Sequence, residues 1–245
     1  MITVITGAAN GLGRALALAS HERGEDVLAI DLDAQSLETL PTKWIALDLT
    51  SADAAARIAS ESPISRIIHS AGISGTGPFE SIPAEHHARI LALNLEAPVA
   101  ITCALLRAQA MAPGATHAFV GSLSTYTGYP GAVSYAASKD GLASFAASLR
   151  KSLPDGDHAA CIFPGPMATN HAARYAPDNS EKTVAARQST EEAAALILKG
   201  LDARKAVIVP GGKARLMATV CKLAPGLAGR LLKKALYEKL TEPRL

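Results

Sequence analysis

Seven short apolar runs punctuate the first 210 residues of this 245-residue chain, and none of them alternates in polarity. They are Ile2–Thr6, Val27–Asp31, Trp44–Asp48, Ile64–His69, His117–Gly121, Ala159–Phe163 and Ala206–Pro210. A strand that is apolar at nearly every residue must be covered on both faces, which is the condition of a parallel sheet lying between two layers of helices. The intervening stretches supply those helices, predicted at Gly11–Arg23, Ala52–Ser60, Ala84–Met111, Val133–Ser152 and Thr190–Leu201. Strand–helix alternation without an internal repeat predicts one doubly wound α/β domain over residues 1–212. Its ligands belong beyond the carboxyl ends of the strands.

With 49% apolar and 19% charged residues the chain has the composition of a globular domain and not of a disordered one. Cys103, Cys161 and Cys221 are far apart and odd in number, which predicts reduced thiols in a cytoplasmic protein and no disulfide framework. The first strand begins at Ile2, so no signal or transit peptide is expected. No apolar run reaches the roughly 18 residues of a membrane span. Leu91–Ala112 comes nearest, interrupted by Asn94, Glu96 and Arg107.

A net charge of +2 gives no ground for a nucleic-acid partner, but its distribution is uneven. Residues 213–240 carry +6 and the rest of the chain −4. This tail reads as two amphipathic helices divided at Pro225-Gly226, with Leu227, Leu231 and Ala235, joined by Leu232 and Leu236, forming an apolar stripe beside Arg230, Lys233 and Lys234. Residues 213–245 are therefore expected to form a basic helical extension. It could cover a substrate pocket, pack against another subunit or lie on an anionic membrane surface; the packing readings are preferred. Residues 164–189, too long for a simple connection, are expected to form a substrate loop.

Two motifs carry chemistry. Thr6-Gly7-Ala8-Ala9-Asn10-Gly11-Leu12-Gly13 falls where the first strand hands over to the first helix. There Gly7 permits a tight turn, and Gly11 and Gly13 let a pyrophosphate approach the helix N-terminus. Asp31 ends the second strand, 18 residues after Gly13, where a carboxylate accepts hydrogen bonds from an adenosine ribose and repels a 2′-phosphate. NAD is thus preferred, with NADP left open. A cap or turn role for Asp31 or Asp33 is the competing reading. Farther on, Tyr135 and Lys139 stand four residues apart, on one face of a predicted helix, where the ammonium is expected to lower the phenol pKa.

Taken together and in order, these segments resemble the short-chain dehydrogenase/reductase family, in its single-domain form with a TGxxxGxG turn, a YxxxK pair and a Rossmann-type fold. The resemblance covers about Thr3 to Asn170 and includes Asp48-Leu49, Ser70-Ala71-Gly72, Asn94, Ser122 and Pro164-Gly165-Pro166-Met167-Ala168-Thr169. It implies that Asp48 and Leu49 meet adenine, that Ser70, Ala71 and Gly72 admit the cofactor ribose, and that Pro164, Gly165, Met167 and Thr169 hold the nicotinamide. It implies that Tyr135 exchanges the proton, Lys139 tunes it and binds ribose, Ser122 hydrogen-bonds the carbonyl and Asn94 holds a water. Asn10 and Leu12 fall within the cofactor turn. Ser124 competes with Ser122, two residues away.

The resemblance also implies a homodimer or homotetramer paired through the helices at Asn94–Met111 and Val133–Ser152. His69-Ser70 departs from the family's Asn-Asn; a strand-end histidine satisfied by backbone is preferred there over a second acid or base. His86 and His87 are adjacent on a helix without accompanying carboxylates, so no metal site is expected. The expected function is an NAD(P)-dependent oxidoreductase interconverting an alcohol and a ketone or aldehyde. A dinucleotide-binding regulator without catalysis and a peripheral membrane reductase of a lipid-like ketone are the alternatives.

Overall fold

The seven apolar runs pair side by side into a single parallel sheet of order β3-β2-β1-β4-β5-β6-β7. The strands are β1 Ile2–Thr6, β2 Asp26–Asp31, β3 Lys43–Ala46, β4 Ile64–His69, β5 Met111–Val120, β6 His158–Ile162 and β7 Val207–Ile208. The computed structural model describes residues 1–175, 187–240 and 242–245. The middle of the expected substrate loop, residues 176–186, therefore lies outside the described residues.

Alternate residues of one strand serve opposite cores, as unbroken apolar strands require. Ile5 packs with Leu16 and Ile197 on one face, while Val4 packs with Ile58 and Leu105 on the other. Helices α1 (Gly11–Glu22) and α8 (Thr190–Asp202) cover the first face; α3 (Ala54–Ala59) and α5 (Ala97–Arg107) cover the second. Between them α2 (Ala34–Leu37) follows β2, and α6 (Val133–Leu149) packs beside β5 and β6 through Leu142 and Ala146. Each fully buried Ile or Leu side chain contributes about 2 kcal/mol of transfer free energy. The strand order reverses between β1 and β4, which opens the ligand crevice at their carboxyl ends.

Two boundaries differ most from expectation. The long helix ends at Arg107, where Gln109 turns with φ +51°, and β5 begins at Met111 rather than at His117. The strand accommodates Pro113 and Gly114 because the ladder to β4 shifts register between Ile64 and Arg66. That helix comprises α4 (Ala84–Leu91), a wide π turn (Ala92–Glu96) and α5. By length and composition Ala84–Arg107 is apolar enough to cross a membrane. Its buried residues Ile90, Ile101 and Leu105 pack against the protein instead.

After α7 (Asn170–Tyr175) and α8 the chain continues into α9 (Gly212–Leu223) and α10 (Pro225–Ala235). Ala214 and Ala218 of α9 pack with Leu123 and Phe163. The chain end is sewn down as well. Thr76 and Arg244 exchange backbone hydrogen bonds of 3.0 and 2.7 Å, and Pro243 lies against Gly77. The expected apolar stripe of α10 is split: Leu232 and Leu236 are half-buried beside Ala228, whereas Leu227 and Leu231 face solvent.

Candidate active site

The glycine turn after β1 is built by close approach. A Cβ on Gly13 would overlap the carbonyl oxygen of Gly7, and one on Gly7 (φ +72°) would stand 2.7 Å from the backbone of Ala71. Only hydrogen fits at either position, so α1 starts flush against the turn and its N-terminus faces the crevice. Asn10 is the exposed N-cap residue and Leu12 is buried beneath the helix start. Across the crevice Gly11 lies near the Thr169 methyl group, 3.4 Å from its own Cβ position. The Pro164–Thr169 segment is held in place by Ala168 N–H donating to the Gln188 carbonyl at 2.9 Å, and Met167 packs on the α1 side of the core.

Asp31 stands at the carboxyl end of β2, with one oxygen accepting from the Ala9 amide at 3.1 Å and the other from Leu32 at 2.7 Å. This fixes a carboxylate at the rim of the turn, while capping of α2 falls to Asp33 through Ser36. The Thr6 hydroxyl accepts the amides of Ser70 and Ala71 at 3.1 and 3.3 Å and so fixes the loop after β4. Asp48 follows Leu47, whose amide donates to the Asp31 carbonyl at 2.8 Å. It is exposed and closes a turn on Thr50 through the hydroxyl and amide, which holds its carboxyl below the usual range, while neighbouring Leu49 is buried.

The second half of the site gathers around α6. Tyr135 is partly exposed, and its hydroxyl is hydrogen-bonded with Ser122. Burial pushes the phenol pKa up to about 12, against the lowering effect of Ser122. Lys139 is buried, donates from Nζ to the Val120 carbonyl at 2.8 Å and lies 5.8 Å from the Tyr135 ring centroid. Burial lowers its pKa to about 8. The expected lowering of the phenol by the ammonium is therefore outweighed: at this distance desolvation dominates both groups and drives each toward its neutral form. The serine at Tyr135 is Ser122 and not Ser124, whose hydroxyl is buried without a hydrogen bond among the described residues.

Asn94 occupies the π turn, fully buried. Its Oδ1 accepts from the Ile73 amide at 2.9 Å, and Nδ2 donates to the Ile73 carbonyl at 2.9 Å and to Ser138 Oγ at 3.0 Å. The wide turn is a feature often found at functional sites, and its Asn94 links the Ile73 backbone to Ser138 of α6. Ser138 in turn donates to the Tyr135 carbonyl at 2.7 Å, so it joins Asn94 to the backbone of Tyr135. Sequence reasoning missed Ser138, since its spacing to Tyr135 suggests only a local helix bond. Gly72 completes the cluster, with Asn94 Oδ1 and Lys139 Nζ at 3.1 and 3.3 Å from its Cβ position.

Other candidate groups belong elsewhere. His69 is a core residue, stacked on Phe119 at 4.9 Å with Nε2 3.4 Å from the Thr102 hydroxyl, and burial lowers its pKa to about 3. Its partner is thus a side chain and a ring, not the backbone. His86 meets the Ser74 carbonyl, whereas His87 meets Ser134 and Phe79. Cys161 is a buried thiol raised to about 12 by desolvation, consistent with a packing role.

The short chain dehydrogenase family profile matches residues 1–180. The chain is 29% identical to dehydrogenase/reductase SDR family member 7B of Bos taurus, across 94% of this chain and 80% of that protein. It is 35% identical to an uncharacterized short-chain type dehydrogenase/reductase of Sinorhizobium fredii across 60% of this chain, a match spanning 29% of that longer protein. Among solved structures, a Burkholderia cenocepacia short chain dehydrogenase in complex with NADP superposes with a TM-score of 0.79 at 24% identity, covering 95% of each chain. With the parallel sheet and the glycine turn in place, these matches make the chain an oxidoreductase of the short-chain dehydrogenase family.

Proposed function

We propose that this oxidoreductase interconverts an alcohol and a ketone or aldehyde with a nicotinamide dinucleotide, and that Tyr135 transfers the proton. The observation that carries the reading is the Ser122–Tyr135 hydrogen bond, set beside Lys139 at the mouth of a crevice that only glycine backbone can line. The residues present fit the dinucleotide. Gly7, Gly11 and Gly13 leave backbone amides and a helix N-terminus open to a pyrophosphate, and the Asp31 carboxylate suits ribose hydroxyls. Thr169 and the Pro164–Met167 segment form the opposite wall. When bound, the nicotinamide supplies or accepts the hydride.

The chain's own groups handle the proton. In the reducing direction Tyr135, raised to about 12, is protonated at neutral pH and gives its proton to the substrate oxygen. Ser122 hydrogen-bonds that oxygen where negative charge develops. Lys139, with a pKa of about 8, is charged at neutral pH, so its ammonium favours the phenolate left behind. Asn94 and Ser138 hold the backbone under Tyr135 and Lys139 as positioning residues.

Tyr135→Phe removes the transferable proton and leaves the crevice intact, so turnover should fall about 10³-fold with NADH binding near normal. A variant that keeps most of its activity breaks the assignment. The same carboxylate argument favours NAD over NADP: Asp31→Ala should relax discrimination against NADP, and equal use of both cofactors by the unaltered protein overturns it.

A further inference from the structure

The two C-terminal helices present an apolar face that the fold leaves outside. Six of the 13 exposed large apolar side chains among the described residues lie in this 24-residue span: Leu216, Met217, Val220, Leu223, Leu227 and Leu231. On α9 the distribution is inverted relative to an ordinary surface helix. Ala214, Ala218 and Cys221, spaced i, i+4, i+7, face the protein, whereas Leu216, Val220 and Leu223, also i, i+4, i+7, lie on the opposite side. Leu223 is 81% exposed and Leu227, across the Pro225 turn, 57%. The small residues face inward and the large ones outward.

This face is not waiting to fold back onto its own domain. Its inner side is used by Ala214 and Ala218, its start is fixed where Ala214 meets Gly165, and the chain beyond it is tied to Thr76. The charges around it say what it fits. Residues 212–235 contain Lys213, Arg215, Lys222, Arg230, Lys233 and Lys234, and no acidic residue. A second copy placed on the same patch would oppose these six cations to their own images, whereas anionic lipid headgroups complement them.

We infer that α9 and α10 form a docking surface for an anionic lipid membrane. Leu216, Val220, Leu223, Leu227 and Leu231 enter the headgroup boundary, and Lys213, Arg215, Arg230, Lys233 and Lys234 meet the phosphates. Lys222 adds less, since its ammonium already lies 4.6 Å over the Tyr126 ring. Docking places lipid beside the helix that roofs Leu123 and Gly165. It thereby offers the crevice carbonyl compounds dissolved in the bilayer, a consequence that rests on the oxidoreductase reading; the docking itself does not.

The test is sedimentation of the full chain with vesicles of equimolar phosphatidylcholine and phosphatidylglycerol, and with vesicles of phosphatidylcholine alone. Binding is expected to the first and to be weaker by at least tenfold on the second. Each of Lys213→Gln, Arg230→Gln, Lys233→Gln and Lys234→Gln should weaken binding about fivefold. The combined Leu216→Gln, Leu223→Gln, Leu227→Gln and Leu231→Gln variant should lose roughly 100-fold or more. These leucines are exposed, so circular dichroism of that variant should match the parent. Tyr135→Phe should sediment as the parent does, which separates docking from catalysis. No binding to anionic vesicles overturns the inference, as does equal binding by the leucine variant. A parent dimer that becomes monomeric in the leucine variant assigns the face to a second copy and overturns it too.

Discussion

The two ends of the sheet treat polar groups in opposite ways. At the amino ends of β1, β2 and β4, Arg23, Glu25, Arg66 and Asp202 form a cluster of ion pairs spanning 2.5–3.7 Å, and Thr3 donates to Glu25 at 2.8 Å. Each of these four charges has an opposite partner and some access to solvent. At the carboxyl ends Lys139 and Asn94 are buried, no carboxylate pairs with the lysine among the described residues, and the partners are the Val120 carbonyl, the Ile73 backbone and the Ser138 hydroxyl. Backbone dipoles hold a cation in place without neutralising it. The first end spends its polar groups on each other, whereas the second keeps their chemistry available.

Glycine gives this contrast its largest test. Gly13 at the carboxyl end has no room for a Cβ, while Gly24 at the amino end (φ +76°) has nothing within 4 Å of that position. Gly13→Ala should destabilise the protein by more than about 4 kcal/mol, or displace α1 and abolish dinucleotide binding. Gly24→Ala meets only the left-handed backbone penalty, about 1 kcal/mol. Thermal unfolding and NADH fluorescence titration measure both. Equal effects at the two glycines would break the comparison.

Much of the carboxyl end was legible because its signals are local. Glycine spacing reports a turn, four residues report one helix face, and continuous apolar runs report a sheet covered on both sides. The boundaries of β5 were not legible: the strand carries Pro113 and Gly114, residues that weaken a ladder, and only the register shift against β4 shows how it does so. The direction of the Tyr135 shift was hidden for a related reason. Sequence places an ammonium near the phenol, but burial is set by how the folded chain packs around Tyr135, where Ser122 and Tyr129 lie, and burial wins. Ser138 was invisible because its partner, Asn94, lies 44 residues away on a helix bent by a π turn.

The buried lysine makes a pH-dependent prediction of intermediate size. Its folded pKa of about 8 lies below the ordinary lysine value of 10.5, so below pH 8 burial of the charge opposes folding. As pH rises from about 8 toward 10.5, the unfolded chain binds the extra proton and the folded state gains stability. Lys139→Met lacks this gain. Its stability relative to the parent should therefore fall across that window, by about 3 kcal/mol at most. Loss of the Nζ donor to Val120 adds a cost that does not change with pH, so the slope and not the offset is diagnostic. Tyr135, raised from 10.0 to about 12, acts in the other sense and erodes stability only above pH 10. Urea unfolding of both proteins across the window measures the slope; parallel curves would remove the buried charge from the account.

The smallest effect belongs to the amino end, where Arg66 bridges Glu25 at 3.4 Å and Asp202 at 2.9 Å with its side chain 15% exposed. Arg66→Met keeps the apolar stem and removes the charge. Arg23 still faces both acids, at 3.7 Å from Glu25 and 2.5 Å from Asp202, so neither carboxylate is left alone. The loss should therefore be about 1 kcal/mol, seen as a Tm lower by about 2–4 °C and reduced by added salt. Turnover and NADH affinity should not change, because the cluster lies at the opposite end of the strands from Tyr135 and the glycine turn. A fall in turnover without loss of stability would mean that the sheet transmits strain between its ends, and the division between a structural and a chemical edge would have to be given up.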